Sequence, residues 1–170
     1  MAAYNSIDLG RNALSSGEGR RLELEIDPGE IALAGENYRI DPDPVPARLD
    51  ISRTASGHAL RLSFAGEITG RCMRCLADAA VAVEVETREV DQPVSEDEEL
   101  RSPYVHEGVL EIGAWAHDAL ALALPQQLLC RPDCAGLCPV CGESLNDAPA
   151  GAHDHPREPD PRWAKLRELE

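Results

Sequence analysis

The sequence is poor in aromatic residues and in positive charge. Only 4% of the 170 residues are aromatic, and 16 lysine and arginine residues stand against 31 aspartate and glutamate residues, a formal net charge of −15. Nucleic-acid-binding proteins normally show a basic surface, because phosphate contacts supply much of their affinity. Base stacking also needs aromatic rings. The composition therefore disfavours direct binding of RNA or DNA and favours a basic protein partner.

Long apolar runs are missing as well. No run reaches the roughly 18 residues that a membrane-spanning helix needs, and the N-terminal stretch MAAYNSIDLGRNALSSGEGRR lacks the basic and apolar blocks of a signal peptide. These features predict a cytoplasmic protein with no membrane association. In a reducing compartment, closely spaced thiols are more often metal ligands or redox groups than disulfides.

Catalytic motifs are absent too. The chain contains no G-x-S-x-G, P-loop, dinucleotide fingerprint or H-E-x-x-H sequence. His117 and Asp118 are adjacent in a predicted helix, but a packed or surface histidine is the simpler interpretation. The sequence therefore predicts a protein that is not an enzyme.

Four stretches alternate polar and apolar residues: RRLELEI (20–26), ARLDISR (47–53), HALRLSFAGEI (58–68) and AAVAVEVETREV (79–90). A period of two indicates half-buried strands, and turn residues separate the stretches. The pattern predicts an α+β fold. We expect an antiparallel β-sheet or small barrel, one main helix, a zinc-knuckle C-terminal segment and a short C-terminal helix.

The main helix is predicted in VLEIGAWAHDALALALP, where apolar residues recur at helical spacing from Ile112 to Leu122, and Pro125 marks its end. Trp115 is predicted to be a core anchor. The acidic segment 91–107 is predicted to be a solvated, mobile loop. Residues 1–145 are predicted to form a single domain, followed over 146–170 by a linker and a short helix that carries Trp163.

Six cysteines carry the strongest chemical signal. Two C-x-x-C turns are present, the first at 72–75 and the second at 138–141. Zinc in structural sites is held tetrahedrally by four cysteine or histidine ligands. Our first interpretation is one structural zinc shared by these two turns. The spacing also allows a site within 130–141, a site joining the first turn to 130–134, a binuclear cluster, or additional ligands from His153 and His155. The candidate metal ligands are Cys72, Cys75, Cys130, Cys134, Cys138 and Cys141.

A thiol redox pair is the alternative to zinc. Arg71 and Arg74 directly precede the two cysteines of the first turn and would favour thiolate, which is the reactive form. A thioredoxin-like site, however, sits at a helix N-terminus after a strand, and this sequence shows no βαβ pattern. The balance therefore favours a structural metal.

The order of motifs resembles the YceD family of large ribosomal RNA subunit accumulation proteins. The resemblance rests on IDLG, GRCMRCL, the helix ending in LALP, CAGLCPVCGESLN and DPRWAKL. It implies a bacterial or organellar protein of ribosome biogenesis that supports accumulation of large-subunit rRNA and has no known catalytic activity. The resemblance also favours a metal site in which Cys72 and Cys75 are grouped with Cys130 and Cys134.

The acidic charge then favours an indirect action on rRNA, through a basic ribosomal protein or a pre-ribosomal particle. One alternative is direct RNA contact through Arg71, Arg74 and Arg131, which lie beside the cysteines. Another is a zinc-ribbon regulator of transcription, although GESLNDAPAGAHDH offers no basic face.

Overall fold

The fold is taken from a computed structural model, which describes residues 4–10, 14–33, 35–149 and 151–155. This part of the chain contains ten strands, one 3₁₀-helix and one α-helix. The strands are β1 (Ile7–Asp8), β2 (Gly19–Ile26), β3 (Ile31–Leu33), β4 (Glu36–Tyr38), β5 (Ile40–Asp41), β6 (Val45–Arg53), β7 (His58–Arg71), β8 (Asp78–Asp91), β9 (Val105–His106) and β10 (Val109–Leu110). The helices are the 3₁₀-helix Glu98–Leu100 and α1 (Ile112–Ala123).

The main sheet is antiparallel and has the strand order β2-β6-β7-β8, with β5 extending the sheet along the second half of β7. Its strands correspond to the four alternating stretches, so the predicted antiparallel sheet is confirmed. Side chains alternate between the core and solvent because successive residues of a strand point to opposite faces. The sheet curves into a half-barrel.

Helix α1 closes the open side of this half-barrel. It contacts β8 and β2, which are the two edge strands of the main sheet. Its buried face is apolar and reaches the strand residues of the core. Trp115 is 1% exposed, so its predicted role as a core anchor is confirmed. Leu122 was expected on the same face, but it is 89% exposed.

Strands β7 and β8 form the longest hairpin of the structure. They pair along their full lengths of 14 residues, from His58 opposite Asp91 to Arg71 opposite Asp78. Residues 72–77 therefore form the tip of this hairpin, so the first C-x-x-C turn lies between two strands as predicted.

The acidic segment is more ordered than the predicted loop. Strand β8 continues to Asp91, Asp97 caps the 3₁₀-helix by accepting from the Glu99 N–H, and β9 pairs with β10. Glu96 through Glu99 are nevertheless exposed. The backbone of this segment forms hydrogen bonds with nearby residues. The cluster of acidic residues in the sequence did not indicate this local pairing.

Small sheets complete the fold. Strands β1, β10 and β9 form one, and β3 and β4 form another. Within the described residues, no helix is long and apolar enough to span a bilayer. The predicted C-terminal helix with Trp163 lies outside the described residues, and the domain division at residue 145 stays a prediction.

Candidate metal centre

The first C-x-x-C turn is closed by two backbone hydrogen bonds. The Cys72 N–H donates to the Ala77 carbonyl at 2.7 Å, and the Leu76 N–H donates to the Cys72 carbonyl at 2.9 Å. Leu76 adopts a φ of 60°, which turns the chain back into β8. The Arg74 N–H points at the Cys72 sulfur, 3.5 Å away. This tight turn places the sulfurs of Cys72 and Cys75 side by side.

The segment after α1 docks against this turn. The Met73 N–H donates to the Leu128 carbonyl at 2.8 Å, and Leu128 is buried against the hairpin. The Arg74 guanidinium donates to the Cys134 carbonyl at 3.0 Å. The Cys134 N–H in turn bonds the Arg131 carbonyl. These contacts bring residues 130–134 over the hairpin tip.

Four sulfurs meet as a result. The sulfurs of Cys72, Cys75, Cys130 and Cys134 lie within 4.8 Å of one another, and we call this set the four-sulfur group. Two of its distances are 3.7 Å, between Cys72 and Cys134, and 3.5 Å, between Cys75 and Cys130. Zinc–sulfur bonds of about 2.3 Å at tetrahedral angles put sulfurs about 3.8 Å apart. The group therefore fits a tetrahedral metal ion.

Burial of the four-sulfur group suits a closed structural site. Cys72 is fully buried, Cys134 is 2% exposed and Cys75 is 8% exposed. None of the protein's six cysteines, all of which lie in the described residues, forms a disulfide. A metal held here by four protein sulfurs would have no open position for water, so its chemistry would be structural.

The sulfurs of this group do not ionise independently. Burial disfavours the Cys72 thiolate, but backbone N–H groups of Cys130, Cys75 and Arg74 outweigh that effect and lower the pKa of Cys72 to about 6. The neighbouring Cys75 sulfur, together with burial, raises the pKa of Cys130 to about 12. A cation placed among them would supply the positive charge that a second and third thiolate require.

The second C-x-x-C turn joins different partners. Cys138 and Cys141 lie with His153 and His155, and their ligand atoms also fall within 4.8 Å of one another. We call this set the mixed-ligand group. The first interpretation, one ion shared by the two C-x-x-C turns, is therefore not the arrangement in the structure. Residues 130–134 occupy the position beside the hairpin tip that the second turn would have needed.

The sequence offers only a weak indication that the two histidines of the mixed-ligand group belong to a site. His153 and His155 sit in a segment rich in proline, glycine and charge, which favoured the interpretation of a linker. The available signal was an H-x-H pair 12 residues after Cys141, following a glycine that can form a turn.

His117, by contrast, donates from Nδ1 to the Pro28 carbonyl at 2.8 Å and is partly buried, as expected of a packed histidine.

The arginines beside the cysteines are held by the protein itself. Arg71 pairs with Asp78 at 2.9 Å, and Arg74 bonds the Cys134 carbonyl. Arg131 donates to the Asn146 carbonyl at 2.8 Å and lies within 3.6 Å of Asp147. Aspartates thus partly neutralise Arg71 and Arg131, whereas the Arg74 guanidinium is bonded to a carbonyl group.

Comparison with known proteins identifies the family. The model of the family described as "Large ribosomal RNA subunit accumulation protein YceD" matches residues 60–170. This chain belongs to the YceD family. The matched region contains all but the first two residues of the β7–β8 hairpin, together with α1 and both cysteine groups, so the family resemblance inferred from the motifs is confirmed.

Curated relatives include uncharacterized proteins of Mycobacterium bovis and Mycobacterium tuberculosis, each 34% identical over 129 residues, which is 71% of this chain and 59% of the relative. An uncharacterized protein of Mycobacterium leprae is 34% identical over 114 residues, which is 62% of this chain and 51% of the relative. The matched region thus spans little more than half the length of these relatives. No solved structure shows significant similarity to the chain.

Proposed function

We propose that this protein is a non-enzymatic, cytoplasmic factor of ribosome biogenesis that supports the accumulation of large-subunit rRNA. The observation that carries the proposal is the family match over residues 60–170. That region includes the hairpin, the helix and the four-sulfur group. The proposed role therefore belongs to the part of the chain that is built around the candidate metal centre.

Zinc is the ion that we propose for the four-sulfur group. Four soft thiolate ligands at tetrahedral spacing select zinc over magnesium or calcium, which prefer oxygen ligands. The ion would connect the hairpin tip to residues 130–134, which are 55 to 62 positions away in the chain. Zinc would thus fix the segment after α1 against the sheet.

A basic ribosomal protein, or a pre-ribosomal particle that presents one, is the partner that we propose. Glu96, Asp97, Glu98 and Glu99 are consecutive and exposed, and we call them the acidic loop. Within the described part of the chain, none of these carboxylates forms a salt bridge. The nearby Arg101 instead donates to the Ser95 carbonyl. The acidic loop therefore presents unneutralised charge that would attract a basic partner.

The outer face of the main sheet is a weaker candidate for this contact. Two of its acids are paired with arginines of neighbouring strands, Asp50 with Arg21 at 2.6 Å and Glu86 with Arg61. Glu86 also lies 3.1 Å from Arg88. Because these arginines cancel part of the negative charge, each of these carboxylates would attract a basic partner less strongly than a carboxylate of the acidic loop would.

Direct RNA binding is the second candidate. It would depend on Arg71, Arg74 and Arg131, but each of these is engaged by a carboxylate or a carbonyl group of the protein. Releasing them for phosphate would break those contacts. The net charge of −15 adds a repulsive field against a polyanion.

The test measures the ratio of large- to small-subunit rRNA in cells that lack the protein and in cells complemented with variants. The loop variant is Glu96→Gln/Glu98→Gln/Glu99→Gln, which keeps the capping Asp97. The matched control, Glu23→Gln/Glu36→Gln/Glu84→Gln, removes three exposed carboxylates elsewhere. Each changes the net charge from −15 to −12, because three negative charges are lost.

We expect loss of the protein to lower the rRNA ratio. The control variant should restore the ratio, and the loop variant should restore it only partly. A normal rRNA ratio without the protein would contradict the proposed role. Binding of purified protein to rRNA fragments that disappears in Arg71→Gln/Arg74→Gln/Arg131→Gln would contradict the indirect mechanism and support the RNA-binding alternative.

A further inference from the structure

The second C-x-x-C turn repeats two backbone hydrogen bonds of the first. The Cys138 N–H donates to the Glu143 carbonyl at 2.8 Å, as that of Cys72 does to Ala77. The Gly142 N–H donates to the Cys138 carbonyl at 2.9 Å, which matches the bond from Leu76 to Cys72.

The backbone conformation and the flanking pairs also agree between the two turns. The residue after the second cysteine has a positive φ in both, 75° at Gly142 and 60° at Leu76. Leu137 pairs antiparallel with Ser144, just as Arg71 pairs with Asp78 around the first turn. The protein therefore has two knuckles of the same backbone form, and the four-sulfur group uses only the first.

The second knuckle faces two imidazoles. A glycine turn at Gly151, with a φ of 83°, precedes the histidines, and the Asp154 N–H closes that turn on the Gly151 carbonyl. The His153 Nδ1 lies 3.3 Å from the Cys141 sulfur. Ligands in a tetrahedral zinc shell with bonds of about 2.3 Å to sulfur and about 2.0–2.1 Å to nitrogen lie about 3.6 Å apart. The spacing therefore suits a shared ion.

One buried ring nitrogen of this group has no hydrogen-bond partner among the described residues. It is the Nε2 of His155, which is inaccessible to solvent. A buried ring nitrogen without a partner loses the free energy of its hydration, which ordinarily excludes such an arrangement. A metal bond would satisfy this nitrogen and would also account for the convergence of four ligand atoms.

Hydrogen bonds to the segment that follows Cys130 hold the second knuckle in place. Asn146 accepts from the Ala135 N–H at 2.8 Å, and its carbonyl accepts from Arg131. The Leu145 N–H donates to the Gly136 carbonyl. These bonds hold the turn around Cys138 beside residues 131–136, while its sulfurs face His153 and His155 and not the four-sulfur group.

From these observations we infer that Cys138, Cys141, His153 and His155 form a second, separate zinc site. The chain would then bind two ions, one in an all-sulfur shell and one in a shell of two sulfurs and two nitrogens. The second site differs from the first in exposure, because Cys141 is exposed whereas Cys72 is fully buried. It fixes residues 151–155 to the second knuckle, and it stands apart from the proposed role in rRNA accumulation.

The test is zinc counting and zinc X-ray absorption spectroscopy on the full chain, after saturation with Zn²⁺ alone and removal of excess metal. The wild type should bind two zinc ions per chain. The average shell should contain three sulfurs and one nitrogen per ion, because six sulfurs and two nitrogens are divided between two ions. Sulfur and nitrogen are distinguished by bond lengths of about 2.3 Å and about 2.0–2.1 Å.

The variant His153→Asn/His155→Asn should bind one zinc in a shell of four sulfurs. The matched control His106→Asn replaces an exposed histidine outside both groups and should keep two ions. One ion per chain in the wild type, or two ions in an all-sulfur shell, would overturn the inference. Undiminished zinc content in the double variant would do the same. The wild-type spectrum decides the matter even if the variant does not fold.

Discussion

Breaking the four-sulfur group should destabilise the protein by an amount set by the loop that it closes. Cys75 and Cys130 are 55 positions apart. A cross-link over that length restricts the unfolded chain by about 4 kcal/mol, and it acts only while the ion is bound. Replacing Cys75, which is 8% exposed, leaves three sulfurs and a weak site. Cys75→Ser should therefore lose about 4 kcal/mol of zinc-dependent stability.

Urea unfolding of the wild type and of Cys75→Ser, each in zinc and in chelator, isolates this contribution. Any effect of zinc at the mixed-ligand group is common to both proteins and cancels in the difference. With a slope of about 2 kcal/mol per molar urea, the zinc-dependent gap corresponds to about 2 M in the midpoint. Ala79→Ser, which buries a hydroxyl in β8 without touching a ligand, is the control. Equal stabilisation by zinc in the wild type and in Cys75→Ser would refute the reasoning.

Three further predictions concern the scaffold. Trp115→Ala should lower the free energy of unfolding by about 3–5 kcal/mol in urea titrations, because a fully buried ring is removed. Gly70→Ala places a methyl carbon 2.6 Å from the Tyr38 ring and 2.8 Å from the Leu128 side chain, and should cost about 1–3 kcal/mol. Gly19→Ala, whose nearest contact is 3.5 Å away, should be tolerated. Burial, with a neighbouring guanidinium, holds the pKa of His58 below its usual 6.5. Below that pH the unfolded state binds more protons at this position than the folded state does, so the free energy of unfolding falls as the pH is lowered. His58→Gln removes the titrating group, and its free energy of unfolding should fall less steeply than that of the wild type between about pH 7 and 5.5.

The main sheet was predictable because its strands keep a strict period of two. The face of β7 that carries Leu60 and Leu62 is buried, while the opposite face stays polar. The hairpin tip at Cys72 followed from the position of C-x-x-C between two such strands. Helix α1 was predictable from its apolar spacing, although one residue of the predicted apolar face, Leu122, is exposed.

The grouping of the cysteines was not predictable from spacing alone. Both C-x-x-C turns have the same local geometry, and nothing local says which sulfurs each one meets. The grouping depends on the position of Leu128, which follows α1 in the chain. The Leu128 carbonyl accepts a hydrogen bond from the first turn, and this contact places Cys130 and Cys134 beside that turn. The two-residue strands such as β1 and β9 were also missed, since they are too short to show a period.

The proposed account holds that a metal ion at the hairpin tip maintains the shape of this acidic protein, and that the shape is needed for large-subunit rRNA to accumulate. The most direct test is the ratio of large- to small-subunit rRNA in cells whose only copy of the protein carries Cys75→Ser. The account predicts a ratio as low as in cells without the protein. A wild-type ratio in the Cys75→Ser cells would contradict it.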